Sequence, residues 1–99
     1  MIDEIRAKFL PRFVESTRER LERASKLIAD GSNAAPAIAA DLHTIAGEAS
    51  IMGLVEIADL ARKGERAVRS VGGLDDPSIL AALYQLWRGL DALAGQRPQ

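Results

Sequence analysis

His43 is the only histidine of this 99-residue chain, which contains no cysteine, and it is the side chain best suited to carry chemistry. A neutral imidazole is a competent nucleophile near pH 7, because the reference pKa of imidazole is about 6.5. It can attack a phosphoryl group and hold it as phosphohistidine, from which the group passes readily to another acceptor. The sequence around His43 therefore decides whether this nucleophile is accessible.

The segment that carries His43 is predicted to be an amphipathic helix from about Ala34 to Met52. Its apolar residues recur at spacings of four and three, and they are Ile38, Leu42, Ile45, Ala49 and Met52. His43 falls roughly 140° from the centre of this apolar stripe, so we expect the ring to face water. Gly53 can adopt the left-handed conformation that ends such a helix.

The face around His43 is predicted to consist of small side chains, where an ordinary solvated helix face would carry charged ones. The residues expected to form this docking surface are Ala39, Ala40, Ala46, Gly47 and Ser50. We expect nothing to overhang the ring, so that another molecule can approach it closely. Gly47 lies one turn from His43 on the same face, where a larger side chain would obstruct that approach.

This spacing resembles that of the histidine-containing phosphotransfer (HPt) domain. The family pattern is His-x-x-Lys-Gly, then a small residue two positions later, then a second Gly. It is matched here by His43, Gly47, Ala49 and Gly53, whereas Ala46 stands where the family usually has lysine. The resemblance implies that His43 is the phosphoacceptor, that Gly47 permits close approach, that Ala49 packs inward and that Gly53 sets the helix end.

The same resemblance implies the partners, which are the receiver domain of a response regulator and a histidine kinase. The receiver's acceptor is an aspartate beside a bound Mg²⁺, so the metal belongs to the receiver and no cofactor is expected on this chain. The chain is then expected to be a stoichiometric phosphoryl carrier in a phosphorelay, and not an enzyme by itself.

Ala46 is the departure from the family pattern that bears on this chemistry. The usual lysine offers positive charge to the phosphoryl oxygens. Arg62, Lys63 and Arg66, on the helix that follows, are the candidates to compensate for its absence. We expect transfer to survive, but to be slower or to depend more on the partner's own lysine and metal, which Ala46→Lys would test.

The whole chain is predicted to be an all-α, antiparallel four-helix bundle with a short additional N-terminal helix, forming one domain over residues 1–99. Ile2, Ile5 and Phe9 mark the short helix, and Pro11 is expected to break or kink the chain at that point. The long helices then begin near residues 11, 34, 54 and 77. The polar residues 95–99 are expected to form a frayed tail.

Composition excludes several classes of function. The charges of the 14 acidic and 13 basic residues nearly cancel, so the chain lacks the excess of basic residues that is typical of nucleic-acid-binding proteins. One histidine among scattered carboxylates gives no metal-ligand spacing. Asp41 and Glu48 point roughly 160° and 140° away from His43, which makes them poor candidates for a general base.

No signal peptide and no apolar run of about 18 residues is visible, so we expect a cytoplasmic, monomeric protein without a membrane span.

Two alternatives to phosphotransfer remain open. The first is a docking module, which keeps the docking surface of the family and binds receiver or kinase domains without transferring a phosphoryl group. The second is a structural or oligomerisation bundle, which the leucine stripe of Leu83, Leu86, Leu90 and Leu93 would support. A stripe this narrow is more often part of a core.

Overall fold

The computed structural model of the protein describes residues 2–31, 34–70 and 76–95. These residues form four helices and no strand. The helices are α1 (Ile2–Ala29), α2 (Ala35–Ile51), α3 (Val55–Ser70) and α4 (Pro77–Gly95). The predicted all-α four-helix bundle is confirmed, and the predicted bounds of the His43 helix agree with α2 to within one residue at each end.

The helices pack in a ring, in which each contacts two neighbours. α2 packs most extensively against α3, α3 against α4, α4 against α1, and α1 more sparsely against α2, so that α2 and α4 are diagonal to each other. The bundle is 41 Å long, which matches the roughly 42 Å of a 28-residue helix such as α1. The apolar stripes predicted for the helices meet in one core, and all five residues of the α2 stripe are buried.

The predicted separate N-terminal helix is wrong, because α1 is a single helix with Pro11 inside it. Proline removes one helical hydrogen bond, but Pro11 and Ala7 are both exposed, so water can solvate the carbonyl that loses its partner. A tertiary contact also holds the leading segment in line. The guanidinium of Arg6 donates to the carbonyl oxygens of Met52 and Gly53, at 3.2 and 3.1 Å.

The connection between α2 and α3 is a tight turn centred on Gly53, as predicted. Gly53 has a φ of 71°, in the left-handed region that glycine adopts without steric penalty. The amide of Gly53 donates to the carbonyl of Ser50 (3.1 Å), and the amide of Leu54 donates to that of Ala49 (2.8 Å). This is the Schellman arrangement, with buried Leu54 and Ala49 as its apolar partners. The turn folds α3 back along α2 as an antiparallel hairpin.

The end of the chain differs slightly from the predicted tail. Gly95 is the last residue of α4, and the remaining residues of the tail, 96–99, lie outside the described part. Within the described ranges, no helix combines the length and the apolar character that a membrane span requires.

Candidate functional site

His43 lies on the outer face of α2, with 76% of its side chain exposed, as the helical period predicts. One edge of the ring faces α3, where Nδ1 lies 3.2 Å from Oε1 of Glu65. The opposite edge, which carries Nε2, makes no hydrogen bond to a described residue. The imidazole is therefore accessible to a partner while one of its nitrogens is held by the protein.

Glu65 is held between His43 and Arg69, and its side chain is largely covered. Nε of Arg69 donates to Oε2 of Glu65 at 2.9 Å, one helical turn further along α3. This hydrogen bond lowers the pKa of Glu65 below its usual range, and the hydrogen bond and charge of His43 act in the same direction against the opposing effect of burial. Glu65 is therefore a carboxylate at neutral pH.

The charge of Glu65 fixes which nitrogen of His43 carries the proton. An ionised carboxylate can only accept hydrogen bonds, so the ring must donate from Nδ1. In the neutral imidazole this leaves the lone pair on Nε2, at the exposed edge. The arrangement thus presents a nucleophilic nitrogen to solvent and keeps its protonated counterpart against α3.

Cationic side chains of α3 lie beside the ring. A shallow concavity of about 400 Å³ opens between α2 and α3, and it is lined by His43, Ala46, Gly47, Arg62, Glu65, Arg66 and Arg69. Arg62 donates to Oγ of Ser50 at 2.8 Å and lies 3.5 Å from Asp59. Of the three cations proposed from sequence, the concavity therefore includes Arg62 and Arg66. Lys63 is exposed and does not line it.

The small-residue surface predicted around His43 is only partly exposed. Ala40, Gly47 and Ser50 are exposed, but Ala39 and Ala46 are 1% and 4% exposed. The prediction that these two alanines offer contact surface is wrong, because both lie on the flank of α2 that α3 covers. Ala46 instead forms the floor of the concavity beside His43.

Gly47 has open space around it. A Cβ built at this position meets no other atom within 4 Å, so no packing contact inside the bundle requires glycine there. Ala49, the small residue two positions later, is fully buried, as predicted. Ala49 is therefore small because it packs in the core, whereas Gly47 has no such packing constraint. Only Gly47 leaves room for an external molecule.

The carboxylates that flank His43 in sequence are engaged on the other side of α2. Asp41 accepts a hydrogen bond from Arg23 at 3.1 Å, and Glu48 accepts one from Arg20 at 3.3 Å. Both arginines belong to α1, which confirms that Asp41 and Glu48 point away from the imidazole. No group of three or more potential metal-ligating side chains occurs among the residues described.

Glu65 and Arg69 are site residues that sequence reasoning missed. The signal that could have found them is the tight turn at Gly53, because residues at similar distances from the turn of a helical hairpin face each other. This rule places residues 60–63 opposite residues 43–46, and Glu65 lies within one helical turn of that range. The helical period then selects, from α3, those side chains that share a face with Arg62.

Comparison with known proteins agrees with this geometry. The family model of the Hpt domain matches residues 8–96, nearly the whole chain. No curated protein and no solved structure matches the chain. Hpt domains are histidine phosphotransfer modules of two-component signalling; they act as carriers more than as catalysts, and they interact with receiver and kinase domains. With a matching helical bundle and an exposed histidine, the chain belongs to the Hpt domain family.

Proposed function

We propose that this protein is a phosphorelay intermediate that carries a phosphoryl group on His43. The observation that supports this best is the state of the ring, which is exposed on a rigid helix with Nδ1 held by Glu65 and Nε2 directed outward. The phosphoryl group is proposed to pass between a hybrid histidine kinase or receiver domain on one side and the receiver aspartate of a response regulator on the other. Mg²⁺ is proposed to be bound by the receiver.

Transfer from a receiver would proceed by attack of Nε2 of His43 on the phosphorus of the aspartyl phosphate. The N–P bond forms as the P–O bond to the aspartate breaks, and the electron pair of that bond leaves with the carboxylate. Nδ1 keeps its proton, so the phosphorylated ring carries a positive charge. Glu65 faces that charge at 3.2 Å, which stabilises the product without any proton transfer.

The proposed docking surface begins at Gly47 and continues along α2. Ile51 lies two turns beyond His43, roughly 80° around the helix, and is 69% exposed. Phe9 of α1 is also exposed, and both residues line an open concavity of about 540 Å³ at the α1–α2 junction. We propose that a receiver domain places its active-site loops over Gly47 and an apolar part of its surface against Ile51 and Phe9.

The test is transfer from a phosphorylated receiver domain to the purified protein. The expected result is an acid-labile, base-stable label that is absent from His43→Gln. Because His43 is the only histidine of the chain, loss of the label in His43→Gln assigns the label to this residue. Thr44→Gln introduces the same side chain at the neighbouring exposed position and serves as the matched control, which should be labelled normally.

The alternatives give different results in the same experiment. Binding to the receiver without label would contradict the carrier function and indicate a docking module. The absence of both label and binding to receiver and kinase domains would indicate a structural bundle. Circular dichroism of His43→Gln confirms that any loss of label is not a loss of fold.

A further inference from the structure

One face of α3 presents three arginines and one glutamate to the concavity beside His43. Arg62, Glu65, Arg66 and Arg69 fall within an arc of roughly 100° around the helix. Arg69 is engaged by Glu65 at 2.9 Å, and Arg62 is engaged by Ser50 at 2.8 Å. Recruiting either of these two cations to a new ligand would disrupt a contact that already exists.

Arg66 differs from its two neighbours on this face. Its guanidinium makes no hydrogen bond or ion pair with any residue in the described ranges, although it lines the same concavity as His43. Ala46 lies at the floor of that concavity and contributes no charge. Arg66 is therefore the available cation beside the ring, and it comes from the helix facing α2.

We propose that Arg66 binds the phosphoryl oxygens of phosphorylated His43, so that α3 supplies the charge that position 46 on α2 lacks. This inference rests on the proposed function, since it assigns a ligand to the site only after His43 is phosphorylated. It also distinguishes among the three cations suggested from sequence. Arg62 lines the concavity but is already hydrogen-bonded to Ser50, and Lys63 does not line the concavity.

Charge and geometry both favour this assignment. A phosphoryl group carries a charge between −1 and −2 near neutral pH, and its oxygens accept strong hydrogen bonds. The planar guanidinium donates two parallel N–H groups to such oxygens, which a single ammonium cannot do. Glu65 keeps its hydrogen bond to Nδ1 and offsets the positive charge of the ring, while Arg66 offsets the negative charge of the phosphoryl oxygens. The two roles use opposite edges of the imidazole and do not compete.

The experiment uses the full chain and needs no partner protein. Phosphoramidate phosphorylates exposed histidines directly, with ammonia as the leaving group. Phosphorus NMR then follows the ionisation of the phosphoryl group on His43 as the pH is changed. A cation in contact with the oxygens favours the dianion and lowers the pKa of that ionisation. We expect Arg66→Gln to raise its midpoint by about 0.5–1 pH unit, as expected for one partly exposed ion pair.

Lys63→Gln is the matched control, because it removes the same charge from the same helix at a position roughly 110° from the centre of the arc that faces His43. We expect a much smaller shift for this variant. Arg66→Lys should give an intermediate shift, since it keeps the charge and loses the planar fork. Equal shifts for Arg66→Gln and Lys63→Gln, or no shift in either, would overturn the assignment.

Two further readouts separate this inference from the proposed function. If phosphoramidate and the receiver both leave the wild-type protein unlabelled, the carrier function itself fails. If wild type is labelled and Arg66→Gln behaves like Lys63→Gln, only the role of Arg66 fails. If Arg66 binds the phosphoryl oxygens, Arg66→Gln lowers the equilibrium ratio of phosphorylated His43 to phosphorylated receiver by about three- to tenfold. Adding Ala46→Lys to Arg66→Gln should partly restore that ratio.

Discussion

Leu42 and Gly64 meet where α2 and α3 pack closely, and a Cβ added at position 64 would lie 3.3 Å from Cδ1 of Leu42. The next residue on each helix is a site residue, so His43 and Glu65 meet at the outer edge of the same contact. The absence of a side chain at Gly64 thus sets the helix separation at which a glutamate can reach the imidazole. The geometry of the site depends on the packing beneath it.

Gly64→Val is expected to destabilise the protein. The larger side chain must displace Leu42 and also approaches Ala82, whose Cβ would lie 3.8 Å from the first added atom. Overpacking of this kind costs about 1–3 kcal/mol of unfolding free energy. Urea denaturation measures the change, and Gly47→Val is the control, because an added Cβ at position 47 meets nothing within 4 Å. Equal stabilities of the two variants would contradict a tight contact at Gly64.

Glu65→Gln is expected to slow phosphoryl transfer while leaving the fold intact. The amide keeps a hydrogen-bonding group near Nδ1, but it removes the charge that fixes the proton there. Nitrogen NMR of the imidazole should show mainly Nδ1–H in the wild type and a mixture of the two tautomers in the variant. The transfer rate should fall by up to about 100-fold, the lower end of the range for removal of one preorganised electrostatic group. An unchanged tautomer ratio would show that Glu65 does not orient the ring.

Gly47→Ala is expected to raise stability and lower function in the same molecule. The position is an exposed helix interior with open space around it, so alanine should add about 0.5–1 kcal/mol of unfolding free energy. The added methyl projects into the space that the receiver enters in the proposed complex, so transfer should slow. Thermal denaturation and the transfer assay check the two effects on one preparation. Faster or unchanged transfer would argue against close approach at Gly47.

Ile51→Ser is expected to weaken receiver binding without weakening the fold. Ile51 is 69% exposed, so its apolar surface contributes little to the core and is available to a partner. Loss of a few apolar contacts should raise the dissociation constant about three- to thirtyfold. Leu80→Ser is the matched control, because Leu80 is an exposed aliphatic residue of α4, the helix diagonal to α2. Calorimetric titration with the receiver should separate the two variants.

Asp76 is expected to make stability depend on pH at the start of α4. Its side chain accepts a hydrogen bond from the amide of Ser78 at 2.9 Å, and the contacts with Ser78 lower the pKa of Asp76 in the folded protein. A carboxyl group with a lowered pKa stabilises the fold above its unfolded pKa, and this contribution is lost as pH falls through the folded value.

The corresponding variant is Asp76→Ala, which should melt at a lower temperature than wild type at pH 7. The difference between the two melting temperatures should shrink in acid, once wild-type Asp76 is protonated. Asp76→Asn is the control, because its side chain caps the helix without a charge. A difference that stays constant from pH 7 to pH 2.5 would show that the carboxylate charge contributes nothing.

The helical period was sufficient to predict the core stripe of α2, the exposure of His43 and the burial of Ala49. The helical period could not predict which side of the exposed face a neighbouring helix would cover. Ala39 and Ala46 lie on the flank toward α3, whereas Ala40 and Gly47 lie on the other flank. Which flank is covered depends on where the neighbouring helix packs, and that information is not in the periodicity of one helix.

Contacts between helices account for the other differences. The local preference of Pro11 predicted a break, and the hydrogen bonds from Arg6 to the α2–α3 turn outweigh that preference. Glu65 looked like one charged residue among many on α3, because its role depends on its register against α2. At Gly64 the sequence is more informative, since a glycine within the apolar stripe of a helix indicates a close helix contact.

The short turn at Gly53 also bears on how the molecule folds. It joins the two helices that hold the whole site, and these share the most extensive interface of the bundle. Contacts between segments so near in sequence need little loop closure and can form quickly. We therefore expect the α2–α3 hairpin to be structured in the folding transition state, with α1 and α4 joining later. The proposed phosphotransfer site would then assemble early, and local opening of the chain ends would leave its geometry in place.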